Sequence, residues 1–418
     1  MDRIAAAAGP APDPPPGAAP CPRAGADPEA LLRLVAAAGA LEPRRALLEA
    51  HGGDAAAALA AGPAAWRGCG LDRAQRQALA RPDRAAIDHA LRWLAQPGRH
   101  LLGWGEPDYP VLLARGVRAP LALCVAGDPA RLWHPMLAVV GTRNPTPGGR
   151  DHAAAFARAL AGSGLGVVSG LAAGIDTAAH EATLAVGGLT VAVLGCGPDI
   201  AYPRRNAQLL ERIAAAGVVV SEHLPGTPPQ KAHFPSRNRI LAGLALGTLV
   251  VEAAWRSGAL ITARLAAEAG REVMALPGSI QNPMARGCHR LIRDGAALVE
   301  TPAEVLALLA PAAVDLAEAL RGRLAAPTPG SRAQPPARAG SAGDDADHQR
   351  LWQALGHDPT DMDALVSRTG LTAAELSSML LVMELEGRVA NEHGRYSRVA
   401  ARRHPDPHGA VRGAGRGQ

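Results

Sequence analysis

Lysine is almost absent from this chain: of its 43 basic residues, every one but Lys231 is arginine. Aromatic rings are scarce too, at 3% of residues with only two phenylalanines, so each ring in a loop carries more information than usual. The five cysteines (Cys21, Cys69, Cys124, Cys196, Cys288) are odd in number and scattered, with no CxxC and no Cys/His ligand spacing. That pattern supports neither a disulfide framework nor a zinc site, and no cofactor is expected. Reduced thiols fit a cytoplasmic protein. No apolar run of about 18 residues occurs, so no membrane span is expected. Met1–Pro16 contains Asp2, Arg3, Asp13 and several prolines and lacks the apolar core of a signal peptide.

What is abundant is alanine, glycine, proline and arginine. With 418 residues and 48% hydrophobic content there is room for two or three domains, though so much alanine keeps burial per residue modest. The formal charge of +5 is compatible with a phosphate-backbone partner. A GC-rich genome explains the same bias without any function.

Along the chain, residues 1–26 are Pro/Ala/Gly-rich and expected to be disordered. Residues 27–96 read as a small helical domain, SAM-like or helix-hairpin-helix: short helices Glu29–Ala38, Pro43–His51, Asp54–Ala61 and Arg73–Ala80, then Asp83–Ala95. Residues 97–310 change texture. Short apolar runs (Met136–Val140, Gly166–Ser169, Thr190–Gly195, Gly217–Ser221, Thr248–Glu252, Glu272–Leu276, Ala297–Glu300) alternate with helical stretches. That alternation predicts an α/β, extended Rossmann-like parallel sheet covered on both faces. Residues 311–345 read as a linker, 346–400 as a winged-helix domain and 401–418 as a basic tail. The winged-helix assignment rests on helices at His348–Leu355 and Asp361–Thr369, then Ala373–Glu386 opened by a Thr372–Glu375 capping box, and a wing around His393-Gly394. Its third helix carries Glu375, Glu384 and Glu386 and no basic residue before Arg388, which favours protein docking over DNA binding.

Ligands of open parallel sheets bind beyond the carboxyl ends of the strands. Here those ends are Gly141-Thr142-Arg143, Ser169–Asp176, Gly195-Cys196-Gly197, Glu222-His223, Glu252 and Pro277-Gly278-Ser279. Three are Gly-rich turns feeding helix N-termini, where free N–H groups favour an anion. Gly170 and Gly174 permit close approach, Ser169 adds a hydroxyl, and Arg143 offers a bidentate phosphate fork. Lys231 stands just before His233-Phe234-Pro235-Ser236-Arg237-Asn238-Arg239, where a ring, two guanidiniums and an amide crowd together. A π-face beside phosphate-seeking donors suits single-stranded nucleic acid. The plain alternative is a loop entering a helix, with Ser236 as N-cap and surface arginines. Asp176 and His180, four apart, fit an acid/base pair, but Asp176 equally suits the first turn of a helix with His180 satisfying it. Cys196 has no evident partner as a nucleophile. No GxxxxGK[ST] loop is present.

Taken together these motifs resemble the DprA/Smf family of bacterial DNA-processing proteins. The match is carried by Val140–Arg143, Ser169–His180, Leu194–Gly197, Tyr202-Pro203, Phe234–Ile240, Val251–Ala253, Ser257–Ala263 and Pro277-Gly278, and is strong over Arg99–Leu309. The resemblance implies a non-enzymatic protein that binds single-stranded DNA, protects it and loads RecA onto it during natural transformation, acting as a homodimer. It implies a site drawn from Gly141, Thr142, Arg143, Ser169, Gly170, Lys231, Phe234, Arg237, Asn238 and Arg239, with no catalytic residue and no metal. One departure is Ala173, where many members carry a basic residue. The competing class is a nucleoside-monophosphate phosphoribohydrolase-like enzyme on a similar sheet, with its footing in Glu252. The stretch Ala242–Thr248 lacks the Pro-Gly-Gly run such an enzyme needs. Ser257–Ala269 and Arg286–Asp294 are candidate faces for the second copy or RecA, with nothing in the residues to separate them.

Overall fold

The computed structural model describes residues 27–116, 118–325, 349–355, 360–372, 376, 379–380, 383, 389–392 and 395–398. The expectations for residues 1–26, 326–345 and 401–418, for Glu375, Glu384 and Glu386, and for the His393-Gly394 turn lie outside these residues. The chain falls into two units, Met1–Gly330 and Ser331–Gln418.

The first unit begins with helices α1 (Pro28–Ala36), α2 (Leu41–Ala50), α3 (Ala55–Ala60), α4 (Gly62–Gly68), α5 (Arg73–Ala80) and α6 (Arg84–Leu94). Asp27, Asp54, Asp72 and Asp83 cap four of them by accepting backbone N–H bonds. Helix α4 was not anticipated. Its Gly-Pro opening looks like a breaker, yet proline is tolerated in the first helical turn, and Trp66 anchors α4 in the local core.

A mixed sheet follows, built from β1 (Arg99–Gly103), β2 (Ala122–Gly127), β3 (Met136–Val140), β4 (Gly166–Ser169), β5 (Thr190–Leu194), β6 (Val218–Ser221), β7 (Gly247–Val250), β8 (Glu272–Ala275) and β9 (Ala297–Leu298). Their order is β1-β2-β6-β5-β4-β3-β7-β8-β9. From β6 to β9 the pairs are parallel, as expected. The edge β1–β2 is antiparallel, and so is β2–β6. These two strands, absent from the expected apolar runs, add an antiparallel edge to the expected parallel core. With α7 (Val111–Ala114) as a short helix between them, they form an antiparallel edge that needs no crossover helix.

The intervening helices are α8 (Pro147–Gly162), α9 (Ile175–Ala185), α10 (Ala207–Ala216), α11 (His233–Leu244), α12 (Ala259–Glu268), α13 (Arg286–Arg293) and α14 (Pro302–Ala325). Strand side chains alternate between faces. Leu137 and Val139 of β3 join the core under α8, α9 and α14, while Met136 and Ala138 join the core under α11. Helix α14 runs through Pro311 to Ala325, into the stretch expected as linker. A proline inside a helix removes a hydrogen bond, but buried Val305, Leu309 and Leu316 on either side of it hold the helix to the core.

In the second unit, residues 349–354 are helical, Asp361 caps Met362–Thr369, and β10 (Thr360–Asp361), β11 (Val389–Glu392) and β12 (Arg395–Arg398) form a sheet in the order β10-β12-β11. Leu376, Met379, Leu380 and Met383, spaced for one helix face, are buried with Leu351, Leu355, Leu365 and Val389.

Candidate nucleic-acid interface

Strand β3 leads to β4 on one side, and β7 leads to β8 on the other, so a crevice opens beyond the carboxyl ends of this adjacent pair. Its floor is the turn after β3, tied across the switch by Thr142 N–H donating to the Glu252 carbonyl at 2.7 Å. The result is a cleft of about 470 Å³ lined by Gly141, Thr142, Arg143, Phe234, Arg237 and Asn238, with Arg256, Ser257 and Gly258 from the turn just before α12.

Helix α11 begins at His233, so Ser236 lies in its first turn, bonded to the His233 carbonyl, and is no N-cap. This start presents Phe234, whose ring lies 5.1 Å from that of Tyr202 at a 40° tilt, with the Arg143 guanidinium 5.8 Å from its centroid. Arg143 is exposed, as are Arg256 and Lys231, and neither Arg256 nor Lys231 has a bonded or ionic partner among the described residues. Lys231 stands two residues ahead of α11 and outside the cleft lining.

Other expected contacts are used internally. Arg237 is 5% exposed, and its guanidinium donates to the carbonyls of Gly170 (2.7 Å) and Val193 and to Asn238 Oδ1 (3.0 Å). It ties the ends of β4 and β5 to α11, so the arginine expected as a phosphate donor is a structural tie. Burial lowers its pKa, and the facing Asp176 carboxylate opposes that. Ser169 is fully buried, with its hydroxyl donating to the Val139 carbonyl at 2.6 Å. The Gly170 and Ala172 N–H groups, expected to cradle phosphate, donate to Asp176 Oδ2 at 3.1 and 3.2 Å. The turn already holds a carboxylate of its own. Arg239 pairs bidentately with Glu222 at 2.8 and 2.6 Å and lines a separate hollow facing α1 and α2.

Gly174 explains how the Ser169 turn closes. It has φ +88°, and a Cβ there would lie 2.4 Å from the Thr142 carbonyl oxygen, so only glycine fits both the conformation and the approach.

The catalytic readings also resolve. Burial holds the Asp176 carboxyl above its usual range, while Arg237 and the two N–H groups pull it down. His180 bonds Thr190 Oγ1 at 2.7 Å, and because that hydroxyl donates to the Val167 carbonyl, His180 Nδ1 is the donor. Burial, then Arg237, lower the His180 pKa to about 3, so the ring is neutral, and no bond joins it to Asp176. Burial pushes the Cys196 thiol up to about 11. Glu252 accepts from Thr146 N (2.9 Å), Thr146 Oγ1 (2.6 Å) and Asn282 Nδ2 (3.1 Å), a bonding pattern that stitches the start of α8 to the sheet.

Arg256, in the cleft lining, and Tyr202, beside Phe234, were not among the expected site residues. Tyr202-Pro203 already stood among the motifs, but nothing local tells that Tyr202 meets Phe234. Arg256 follows the β7 end by a few residues, and a basic side chain so close after a strand end was the signal available.

Residues 100–310 match the family model described as DNA recombination-mediator protein A, and residues 334–395 match the DprA winged helix domain. Protein Smf of Escherichia coli (strain K12) is 39% identical over 331 residues, covering 79% of this chain and 85% of that protein. DNA processing protein DprA of Streptococcus pneumoniae is 47% identical over 199 residues, covering 48% of this chain and 70% of that protein. The X-ray structure of DprA from Streptococcus pneumoniae superposes with a TM-score of 0.59 at 35% identity, over 67% of this chain and 97% of that one. A mostly parallel α/β sheet with its crevice at the switch point, followed by a winged-helix domain, completes the match: the chain belongs to the DprA/Smf family of DNA recombination mediators.

Proposed function

We propose that this protein binds single-stranded DNA in the β3/β7 cleft, protects the strand and loads RecA onto it during natural transformation, acting in the cytoplasm as a homodimer and without catalysis. The observation that carries the DNA reading is the Phe234–Tyr202 ring pair with Arg143 beside it and two further exposed cations, Arg256 and Lys231, left without partners among the described residues. Stacked bases fit the rings, and phosphates fit the cations. Membership of the family supports the RecA and dimer parts.

Each phosphate neutralised on a single strand changes the slope of log affinity against log salt by about 0.7. At about 0.1 M salt that is worth roughly 1 kcal/mol per contact, so Arg143→Ala with Lys231→Ala should weaken binding about 30-fold and flatten the slope by about 1.4. A gel shift with a single-stranded oligonucleotide measures both. Parental affinity in the double variant would discard the site, and release of free base from AMP would discard the non-enzymatic reading. Pull-down of RecA, with crosslinking in the presence and absence of DNA, tests the partners.

A further inference from the structure

The helical hairpin α4–α5 has no part in the cleft. Its inner face is anchored by buried Trp66, Leu71 and Leu79, and the Trp66 indole N–H donates to the Ala58 carbonyl at 3.0 Å. Its outer face is basic. Residues 62–81 hold four arginines (Arg67, Arg73, Arg76, Arg81) against one acid, Asp72, which is engaged as the cap of α5 and accepts from Gln75 N at 2.8 Å. An arginine-rich composition does not account for this, because the arginines earlier in the same domain are spent on the fold. Arg33, Arg44 and Arg45 all donate to backbone carbonyls. None of the four hairpin arginines has a bonded or ionic partner among the described residues, and Arg67, Arg73 and Arg81 are exposed. The tip of the hairpin is Gly68-Cys69-Gly70. Gly70 has φ +86° and turns the chain. Gly68 has no such duty: it is the last residue of α4, nothing outside its own helix lies within 4 Å of where its Cβ would stand, and a helical glycine costs stability. A glycine required neither by conformation nor by packing leaves the backbone open to close approach from outside. Just beyond the tip, the Arg73 and Ala74 N–H groups open α5 without an acceptor among the described residues.

We propose that the α4–α5 hairpin is a second nucleic-acid site, which takes the phosphate backbone of duplex DNA on Arg67 and Arg73 with the backbone brought close at Gly68. Guanidiniums and free N–H groups are the donors that phosphate oxygens accept from, and such contacts hold a duplex without reading its sequence. The hairpin offers a single strand little else. Its one ring, Trp66, is 5% exposed and faces inward, so no base can stack there. A duplex already holds its phosphates in a fixed array, whereas an unstacked single strand loses conformational freedom to match a rigid hairpin. The division of labour is then by chemistry: rings and cations for a strand in the cleft, cations alone for a duplex on the hairpin. The proposal stands apart from the reading of the cleft and does not depend on it.

Fluorescence anisotropy of the full chain, against a duplex of about 20 base pairs and an oligothymidylate of about 20 nucleotides, tests it. Each phosphate neutralised on a duplex contributes about 0.9 to the slope of log affinity against log salt. Arg67→Ala with Arg73→Ala should therefore flatten the duplex slope by about 1.8 and weaken duplex binding about 60-fold at about 0.1 M salt. Oligothymidylate affinity should stay at the parental value. Gly68→Gln gives an independent reading. A good helix former in place of a helical glycine should raise the urea-unfolding midpoint, while its side chain blocks the close approach and weakens duplex binding. A damaged fold would unfold sooner, so a variant that is more stable and binds less isolates the contact. Parental duplex affinity in either variant, equal weakening of duplex and oligothymidylate, or a parent that binds no duplex overturns the proposal. Loss of duplex binding in Arg143→Ala with Lys231→Ala but not in the hairpin variants also overturns it, and puts the duplex in the cleft. Loss of RecA capture in the hairpin variants at parental duplex affinity overturns it as well, and makes the hairpin a protein contact.

Discussion

Replacing Arg237 by alanine should cost fold stability before it costs DNA affinity. The side chain makes three hydrogen bonds, two of them to backbone carbonyls at the ends of β4 and β5, and it faces the buried Asp176 carboxylate. Removing the cation leaves a buried carboxylate without its compensating charge, a loss of about 3–5 kcal/mol. Domains of ordinary stability have only about 5–15 kcal/mol in hand, so the shift in a urea-unfolding midpoint should be large. The pH dependence gives an independent signature. Burial already raises the Asp176 pKa in the folded state, and loss of Arg237 raises it further. A folded state that holds a proton more tightly than the unfolded chain loses stability as pH rises through that window. The deficit of Arg237→Ala should therefore be smaller at about pH 5 than at about pH 8. Urea titrations of parent and variant at the two pH values, followed by far-ultraviolet circular dichroism, measure this. A variant with the parent's midpoint but no DNA binding would refute the structural role and return Arg237 to the ligand.

Phe234→Ala should lose about 1–3 kcal/mol of single-stranded DNA affinity, with Phe234→Trp close to the parent, read by anisotropy. Arg239→Ala should cost about 1–3 kcal/mol of stability, because it strands the largely buried Glu222, yet leave the salt slope of binding unchanged; a changed slope would make Arg239 a phosphate contact. His180 is held near 3 against an ordinary 6.5. The folded state thus binds fewer protons than the unfolded one, and stability should fall as pH drops from about 6.5 towards 3. His180→Asn should flatten that acid limb in pH-dependent unfolding; an unchanged limb would place the titration elsewhere.

The sheet was legible because Met136–Val140 and its parallel neighbours are short apolar runs between helical stretches, a pattern set by burial on both faces. Strands β1 and β2 escaped because an antiparallel edge needs no such alternation. Helix α14 passes its proline because of distant packing that no local rule contains. At the candidate site, residue type pointed to the strand ends around the cleft but not to the bonds each side chain makes there. A serine, two glycines and an arginine at strand ends have the chemistry of a phosphate cradle. What assigns them otherwise is Asp176, which turns back to take the same N–H groups, and the depth of Arg237. Burial and partner choice are tertiary properties. Lys231 and Phe234 were readable because a rare residue type is informative without knowing its neighbours.

Lys231 has one more consequence. No other side chain in the sequence offers a primary amine, and this one stands exposed just ahead of α11. Acylating reagents therefore have a single side-chain target, beside the proposed DNA contact. A fluorophore ester at mildly basic pH would label this one side-chain amine, besides the α-amine, without engineering. Protection of that amine by an oligonucleotide, followed by mass spectrometry, would footprint the bound strand at one residue, in a protein whose many arginines stay silent to the same chemistry.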